Sequence, residues 1–323
     1  MKKVLFGFTA SLLLILGACS NDAEGEKNTE AAPDPKEEVT AKASVAVTDF
    51  AGREIDFDGV PKNIVSLGAG ELDLVYALGG ELVGRPTQSG EESSELLEDV
   101  EQVGNTHNYD LEKITSLQPD VVLANNPMNL KDIEPLESTG AQVILTQANS
   151  VSDIQKQITL FGEMLQEQGK ASEINQSIDE SIQHLKAEQS GEMPRVLLVY
   201  GAPGTYMAAL PNSLSGDLLE MAGGENIASD YPELEAYPQY AQLNAERIVE
   251  SNPEHIFLMT HADPATVVEG FKQEMEQNPS WNSLDAVKND NIEVLPADLF
   301  GNNPGTKVTE AMEYLASLLQ PAE

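Results

Sequence analysis

Residues 63–84, NIVSLGAGELDLVYALGGELVG, decide the fold class of this chain. The first four residues of the stretch form a short apolar segment that predicts a buried strand, and the last four predict another. Between them apolar residues recur at helical spacing from Leu72 to Leu78, and a pair of glycines ends the helix. A strand, a helix and a strand that follow one another so closely are typical of an α/β protein.

The same alternation continues on both sides of this stretch and predicts a first lobe over residues 44–167. The lobe begins with a hairpin-like pair of short strands on either side of residues 49–52. The further elements are a helix over 110–117 and two continuous apolar strands over 121–124 and 142–145. Continuous apolar strands separated by a helix are what parallel βαβ units require.

A nearly unbroken helical pattern over residues 151–189 separates the first half from the second. We interpret it as two helices, of which the second, within 168–191, links the lobes. A second α/β lobe over 192–323 then has predicted strands at 195–200, 255–259 and 291–295 and a closing helix at 306–319. The predicted architecture is α/β: two doubly wound, Rossmann-like lobes joined by a single long α-helix. The ligand cleft is expected between the lobes, beyond the carboxyl ends of the strands.

The N-terminus predicts export and lipid attachment. Lys2 and Lys3 precede an apolar run over 4–17, which is too short for a membrane span and is typical of a secretory signal peptide. Small residues lead to Cys19, which we predict to be the lipidated N-terminus after cleavage of residues 1–19. Residues 20–43 are acidic and contain almost no large apolar side chain, so they predict a flexible tether. We therefore expect the protein to be lipid-anchored at the extracellular face of the cytoplasmic membrane.

The composition argues against several classes of function. The chain has 18 basic and 54 acidic residues and a formal net charge of −36, which argues against nucleic acid as a partner. Its single cysteine leaves no internal disulfide and no cysteine nucleophile in the mature chain. A phosphate-binding glycine loop, a GxSxG elbow and an HExxH motif are all missing from the sequence. We expect a binding protein without a catalytic cofactor, and not an enzyme.

Several sequence segments resemble those of the class III solute-binding proteins, which serve importers of iron-siderophores, haem and vitamin B12. In the first half these are 63–72 (NIVSLGAGEL), 78–84 (LGGELVG) and 111–122 (LEKITSLQPDVV). In the second half, 194–206 (PRVLLVYGAPGTY) and 213–227 (SLSGDLLEMAGGENI) are similar to haem-binding lipoproteins of the Gram-positive iron-regulated surface determinant system. The resemblance covers nearly everything after the tether. It implies a monomeric carrier that accepts haem, from cell-surface donor proteins among other sources, and delivers it to an ABC permease and its ATPase.

A haem carrier needs axial ligands, and histidine and methionine are among the usual ones. His261 lies just past the carboxyl end of the predicted strand 255–259, and His107 lies in a loop before the predicted helix 110–117. We predict both as axial ligands. The resemblance implies a histidine at position 261 but a methionine in the loop of His107, so the expected coordination changes from Met–His to bis-His, with a lower reduction potential. Met128 and Met259 are fallback ligands, although Met259 is expected in the core. His184 is predicted to be a surface residue and His255 a structural one.

The propionates of a haem need hydrogen-bond donors. In so acidic a chain the backbone N–H groups at helix starts are the natural source, and Gly68 precedes the first helix. The remaining ligand-binding candidates follow predicted strands or lie in the loop 300–305 near the second lobe: Arg85, Thr87, Gln88, Tyr206 and Gly301.

The family resemblance also implies one acidic residue on each lobe that meets arginines of the permease. Glu71 and Glu225 lie in the segments that resemble the family and match the positions of these acidic residues. For Glu71 a structural role is the alternative, because an acid at a helix N-terminus is favourable toward the helix dipole.

Other ligands of the same fold remain open. Ferric siderophores are commonly bound by several arginines, and of this chain's arginines only Arg85 is predicted near the cleft. A corrinoid is a further alternative, because one histidine could ligate its cobalt. A metal chaperone would need three or four ligands that converge on one ion. The strand and helix segments of this chain do not resemble those of metal-binding proteins.

Overall fold

The structure, a computed structural model, describes residues 44–87, 97, 99–189, 191–202, 205–260, 264–277 and 279–320. The described residues all belong to one compact unit. The predicted signal peptide, Cys19, the predicted tether, Gln88 and His261 lie outside the described residues.

The first lobe is a five-stranded parallel sheet with a separate hairpin. The antiparallel hairpin pairs β1 (Val45–Thr48) with β2 (Glu54–Phe57). The sheet has the order β5-β4-β3-β6-β7, and all its pairings are parallel. Its strands and helices along the chain are β3 (Ile64–Ser66), α1 (Ala69–Ala77), β4 (Leu82–Arg85), β5 (Glu101–Gln102), α2 (Leu111–Leu117), β6 (Val121–Asn125), α3 (Ile133–Glu137) and β7 (Gln142–Thr146).

Two helices connect the lobes. In α4 (Val151–Met164) the buried residues follow helical spacing, and Ser150 caps its N-terminus by accepting a hydrogen bond from the Asp153 N–H. The long helix α5 (Gln168–Glu188) packs against α4 and also against helices of the second lobe. Because α5 contacts elements of both lobes, it forms a stiff connection between them.

The second lobe is built on a seven-stranded sheet that is partly antiparallel. Strands β8, β13 and β14 run parallel, and β10 pairs in parallel with β8, but β9, β12 and β11 continue the sheet as antiparallel neighbours on the other side of β8. The elements are β8 (Arg195–Ala202), β9 (Thr205–Ala209), α6 (Leu214–Met221), β10 (Glu225–Asn226), β11 (Glu233–Leu234), β12 (Tyr237–Gln242), α7 (Ala245–Ser251), β13 (His255–Met259), α8 (Pro264–Gln277), α9 (Asp285–Lys288), β14 (Ile292–Val294), α10 (Ala297–Phe300) and α11 (Val308–Leu319).

The sequence predicted a parallel, doubly wound sheet for this lobe, and β9, β11 and β12 are an addition that it missed. Most residues of β12 are at least partly exposed, and β9 is buried only at Ala208 and Ala209. Strands that bury so few residues have no continuous apolar run in the sequence. Such runs are the pattern that predicted the parallel strands.

The cores explain how the two lobes are held as one unit. Alternate residues of β8 enter different clusters: Val196 and Leu198 belong to a core shared with the first lobe and α5, while Leu197 and Val199 pack in a cluster of the second lobe alone. The opposite face of the first-lobe sheet has its own cluster, which includes Val65 and Val122. The sheets therefore have both faces covered, as α/β folds require. Within the described residues, no helix has the length and apolar character needed to cross a membrane.

Candidate ligand cleft between the lobes

A cleft of about 770 Å³ lies between the lobes. Its walls come from the carboxyl ends of first-lobe strands and from the segment after β14 in the second lobe, which is where open α/β sheets bind ligands. The volume lies within the range of small-molecule sites, about 300–1,000 Å³. The lining residues are Leu67, Gly68, Ala69, Leu72, Asp73, Pro86, Thr87, Asn105, Thr106, His107, Ala297, Asp298, Asn302, Asn303, Pro304 and Lys307.

The turn from β3 into α1 forms the floor of the cleft on the first-lobe side. Ser66 Oγ donates to the Gly68 carbonyl at 2.7 Å and accepts from the Gly68 N–H at 3.3 Å. Gly68 is the N-cap residue of α1. A Cβ atom at Gly68 would meet the carboxylate of Glu71, so a larger residue here would require that side chain to move. The start of α1 thus faces the cleft, as predicted, although a role of Gly68 in ligand binding stays a prediction.

Glu71, the predicted docking residue of the first lobe, is held inside that lobe. Its side chain is buried, with 8% of the residue exposed, and its Oε1 accepts a hydrogen bond of 2.7 Å from Thr146 Oγ1 at the end of β7. Burial raises the pKa of Glu71 above its usual range, and the bond from Thr146 opposes that shift. The carboxylate of Glu71 is thus engaged inside the lobe, and its meeting with a permease arginine stays a prediction. The alternative, a structural acid in the first turn of α1, describes it better.

Glu225 is exposed, but it stands far from the cleft along its sheet. It belongs to β10, which pairs with the amino end of β8 through Arg195. The cleft is lined by residues that follow the carboxyl end of β14. Its predicted docking role remains a prediction.

His107 is held on the first-lobe rim of the cleft by a tight loop. Gly104 adopts a φ of +94°, and a Cβ atom there would run into the Asn108 carbonyl. The Asn105 side chain accepts hydrogen bonds from the His107 N–H at 3.0 Å and the Asn108 N–H at 3.1 Å. The backbones of Asn105 and Asn108 also exchange two bonds. This loop leaves the His107 side chain exposed and lining the cleft.

On the second-lobe side, Lys307 is a cleft residue that the sequence reasoning missed. Its Nζ lies 3.2 Å from Asp298 Oδ2, and both side chains are partly exposed. Lys307 sits in the 3₁₀ turn Gly305–Lys307 just before α11, within the stretch that we had predicted as helix. The loop before it does line the cleft, through Asn302, Asn303 and Pro304. Gly301, the predicted contact of this loop, ends α10 and is not among the lining residues.

Side chains also join the lobes near the cleft. Asn303 Nδ2 donates to Gln157 Oε1 of α4 at 3.1 Å. Asp217 Oδ2 of α6 accepts the N–H of Val151, the first residue of α4, at 2.7 Å. Desolvation raises the pKa of Asp217, and the bond from Val151 opposes the shift. A second-lobe carboxylate therefore satisfies one of the free N–H groups at the start of the first-lobe helix.

The other predicted contacts are scattered. Thr87 lines the cleft, and its N–H donates to the Gly104 carbonyl, which ties it to the loop of His107. Arg85 is buried, and its Nε donates to the carbonyls of Leu97 and Val100 at 3.2 Å, inside the first lobe. The Tyr206 hydroxyl donates to the Val267 carbonyl at 3.1 Å within the second lobe. Neither Arg85 nor Tyr206 is among the lining residues.

The remaining predicted ligand and the two other histidines also have defined places. Met128 is 38% exposed on the turn after β6 and does not line the cleft. His184 is an exposed residue of α5, 3.3 Å from Glu188, which confirms it as a surface residue. His255 begins β13, half-buried beside Phe257, and burial lowers its pKa. This position at the amino end of β13 agrees with the structural role predicted for His255.

The described residues contain no group of three or more His, Cys, Asp or Glu side chains placed to hold a metal ion. All four arginines of the sequence are described, and none lines the cleft. Lys307 is the cationic residue that the described part of the chain places at the cleft wall.

Comparisons with known proteins agree with this geometry. The family model described as "Periplasmic binding protein" matches residues 64–299. The high-affinity heme uptake system protein IsdE of Staphylococcus aureus is 29% identical over 240 residues, which cover 73% of this chain and 80% of that protein.

Two solved structures are similar in both fold and sequence. An ABC transporter substrate-binding protein from Listeria monocytogenes EGD-e superimposes with a TM-score of 0.69 at 29% identity, covering 80% of this chain and 98% of that one. The S. aureus IsdE structure complexed with heme has a TM-score of 0.70 at 27% identity, covering 80% of this chain and 99% of that one.

Proposed function

This chain belongs to the family of periplasmic binding proteins, and we propose that it binds haem between its lobes as the substrate-binding lipoprotein of an ABC importer. The observation that carries the proposal is the cleft of about 770 Å³ with the imidazole of His107 exposed on its first-lobe rim. Imidazole is a common axial ligand of haem iron. A relative that covers most of this chain is named as a heme uptake protein, which supports the same ligand.

The second axial ligand in this proposal is His261. It comes two residues after β13 ends at Met259. Strand β13 runs parallel to β14, and the segment after β14 lines the cleft. Because the carboxyl ends of parallel strands meet at one edge of a sheet, this topology favours position 261 as a residue of the cleft edge. Bis-histidine coordination would give the iron a lower reduction potential than the Met–His pair that the resemblance implies.

The residues present fit a porphyrin with two carboxylates. Leu67, Ala69 and Leu72 supply apolar surface, and Lys307 supplies a positive charge on the opposite wall. The start of α1 presents N–H groups beside Gly68. Haem bound here would be cargo, so these residues need to hold and release it without changing it chemically.

The siderophore alternative is less well supported by the placement of the arginines. Arg53 pairs with Asp49, Arg195 with Glu254, and Arg247 with Asp230. Arg85 points its Nε at carbonyls of its own lobe. A cleft that binds anionic chelates usually directs several arginines at the ligand, and the described cleft directs none.

A competition experiment on the chain from residue 20 onward tests the ligand class. The probes are haemin, a ferric tris-catecholate, a ferric hydroxamate and cyanocobalamin, each titrated alone and then against bound haemin. We expect saturable 1:1 binding of haemin that the other three do not displace. Binding of a ferric chelate or the corrinoid without haemin binding would overturn the haem assignment and leave the family assignment intact.

In this proposal the protein receives haem from cell-surface donor proteins and delivers it to a permease and its ATPase, as the family resemblance implies. Lipidation of Cys19 would keep the monomeric carrier at the outer face of the cytoplasmic membrane. Glu225 remains the docking candidate because its side chain is exposed. Glu225→Ala should leave haemin affinity unchanged and lower haem-dependent growth, with the exposed Glu188→Ala as the matched control. Equal growth of the two variants would remove Glu225 from the docking surface.

A further inference from the structure

We propose that Asn129, which lies outside the cleft, is the positioning residue that fixes the loop carrying His107. The proposal rests on the haem function proposed above, because it concerns how one axial ligand is held. Asn129 is polar yet 0% exposed. A buried carboxamide must find partners for its donors and acceptor, and the partners of this one lead directly to the ligand loop.

The carboxamide of Asn129 joins two segments of the first lobe. Its Nδ2 donates to the Thr106 carbonyl at 2.9 Å, and Thr106 immediately precedes His107. Its Oδ1 accepts the N–H of Asn125, the last residue of β6, at 3.0 Å. The peptide before His107 is therefore tied by one rigid side chain to the end of a central sheet strand.

A second connection reaches the other end of the same loop. Asn129 Nδ2 also donates to Asp132 Oδ2 at 2.9 Å, and the hydroxyl of Tyr109 hydrogen-bonds the same carboxyl group. Tyr109 in turn bridges Gly104 across the base of the loop. Asn129 and Asp132 thus contact the loop on both sides of His107, while neither of them is among the residues that line the cleft.

This arrangement has a functional consequence because the loop is otherwise secured mainly by its own bonds. Without the bond from Asn129, the Thr106 carbonyl would lose a buried donor. The loop would keep its internal turn around Asn105 and its attachments at Gly104 and Tyr109, but the peptide next to His107 would lose its direct tie to β6. A ligand held in place before binding costs less ordering free energy when the complex forms. We therefore expect Asn129 to slow the loss of haem without contacting it.

The test compares Asn129→Ala with Asn226→Ala in the full chain. Asn226 is 3% exposed and makes the same kind of bridge in the second lobe, donating to the Ala209 carbonyl and accepting the Ala228 N–H, both at 2.9 Å. The control therefore removes an equally buried carboxamide at the amino end of β8, away from the cleft. Amide hydrogen exchange of residues 105–110 in the haem-free protein and transfer of haem to apomyoglobin are measured for both variants.

We expect exchange of the 105–110 amides to become about fivefold faster, and haem loss about five- to tenfold faster, in Asn129→Ala alone, as expected for the loss of one or two net hydrogen bonds. The ferric spectrum should shift toward five-coordinate haem. Asn129→Asp, which keeps the shape but not the donors, should behave like the alanine variant.

Unchanged exchange in Asn129→Ala, or equal changes in both alanine variants, would overturn the positioning role. Faster exchange with unchanged haem loss would overturn its functional consequence. If the wild-type chain fails to bind haemin at all, the proposed function falls and takes this consequence with it, whereas the exchange data still decide whether Asn129 holds the loop.

Discussion

Asp73 in the first lobe holds Thr306 in the second through two hydrogen bonds to a single carboxylate oxygen. Its Oδ2 accepts the Thr306 N–H at 2.6 Å and the Thr306 hydroxyl at 2.7 Å. The preceding residue, Gly305, adopts a φ of +60°, and a Cβ atom there would run into the Asp73 carboxylate. Asp73 also lines the cleft. One charge-assisted contact therefore sets how closely α1 approaches the turn before α11 at the cleft wall.

Removing this contact should loosen the junction of the lobes. Asp73→Ala loses both bonds, and we expect a loss of about 2 kcal/mol in the free energy of unfolding, as for hydrogen bonds to charged groups. Haemin affinity should fall as well, because the second-lobe wall is no longer held against α1. Urea denaturation and a haemin titration measure the two effects.

Asp73→Asn keeps an acceptor oxygen and should lose less than the alanine variant. Asp56→Ala, at an exposed position of β2, is the control for removing an acidic side chain from so acidic a chain. An Asp73→Ala protein as stable as the Asp56→Ala control would show that the contact does not hold the lobes.

The pair of Lys307 and Asp298 should tune affinity for anionic ligands. Lys307→Ala should weaken haemin binding by up to about fivefold, because a partly exposed charge pair contributes up to about 1 kcal/mol. Asp298→Asn should strengthen binding, since the ammonium group would no longer be shared with a protein carboxylate 3.2 Å away. Both effects should shrink in high salt.

Haemin dimethyl ester, which lacks the two carboxylates, is the matched ligand control for this pair. Lys307→Ala and wild type should bind the ester equally. An equal loss of affinity for haemin and its ester in Lys307→Ala would mean that the lysine acts through packing and not through charge.

Glu71 should make stability fall as pH rises. Burial raises its pKa in the folded chain, so the folded state binds the proton more tightly than the unfolded state does. Its stabilising contribution is then present below the unfolded pKa, about 4.3 for glutamate, and is lost as pH rises through the folded value. Glu71→Gln keeps an acceptor for the Thr146 hydroxyl but cannot ionise, so its stability should not fall with pH in this way.

The measurement is the Tm of Glu71→Gln and of wild type between pH 4 and pH 8. We expect the Tm of Glu71→Gln to exceed that of wild type by an amount that grows with pH across the lower part of this range and then levels off. Glu225→Gln, at an exposed site, serves as the control for removing one negative charge. A constant difference in Tm at every pH would contradict the assignment.

The sequence predicted the parallel part of the fold well because each strand there buries an apolar run. Residues 255–259 were predicted as a strand and form β13 with the same bounds, since four of its five residues are buried. The predicted helix over 110–117 begins one residue later, where Asp110 caps α2 by accepting the Lys113 N–H. The half-exposed strands β9 and β12 could not be found this way, because their place depends on pairing with β8 and with each other.

The site was less predictable because tertiary contacts decide where side chains point. The local turn residues Gly104 and Asn105 signalled a loop, and His107 does lie at the cleft. In contrast, Glu71 was expected at the surface, but it is buried and accepts a hydrogen bond from Thr146, a residue 75 positions away. Lys307 reaches the cleft only because its turn packs on α1 through Asp73. No local pattern in the sequence reports either contact.

The most direct test of the central claim is an absorbance titration of the chain from residue 20 onward with haemin, repeated for His107→Ala and His261→Ala. We expect a saturable 1:1 Soret change with low-spin, six-coordinate bands in wild type, and five-coordinate spectra or lost binding in each variant. His184→Ala, which removes an exposed histidine of α5, should behave as wild type. A wild-type chain without a saturable change, or variants at 107 and 261 with unaltered six-coordinate spectra, would contradict it.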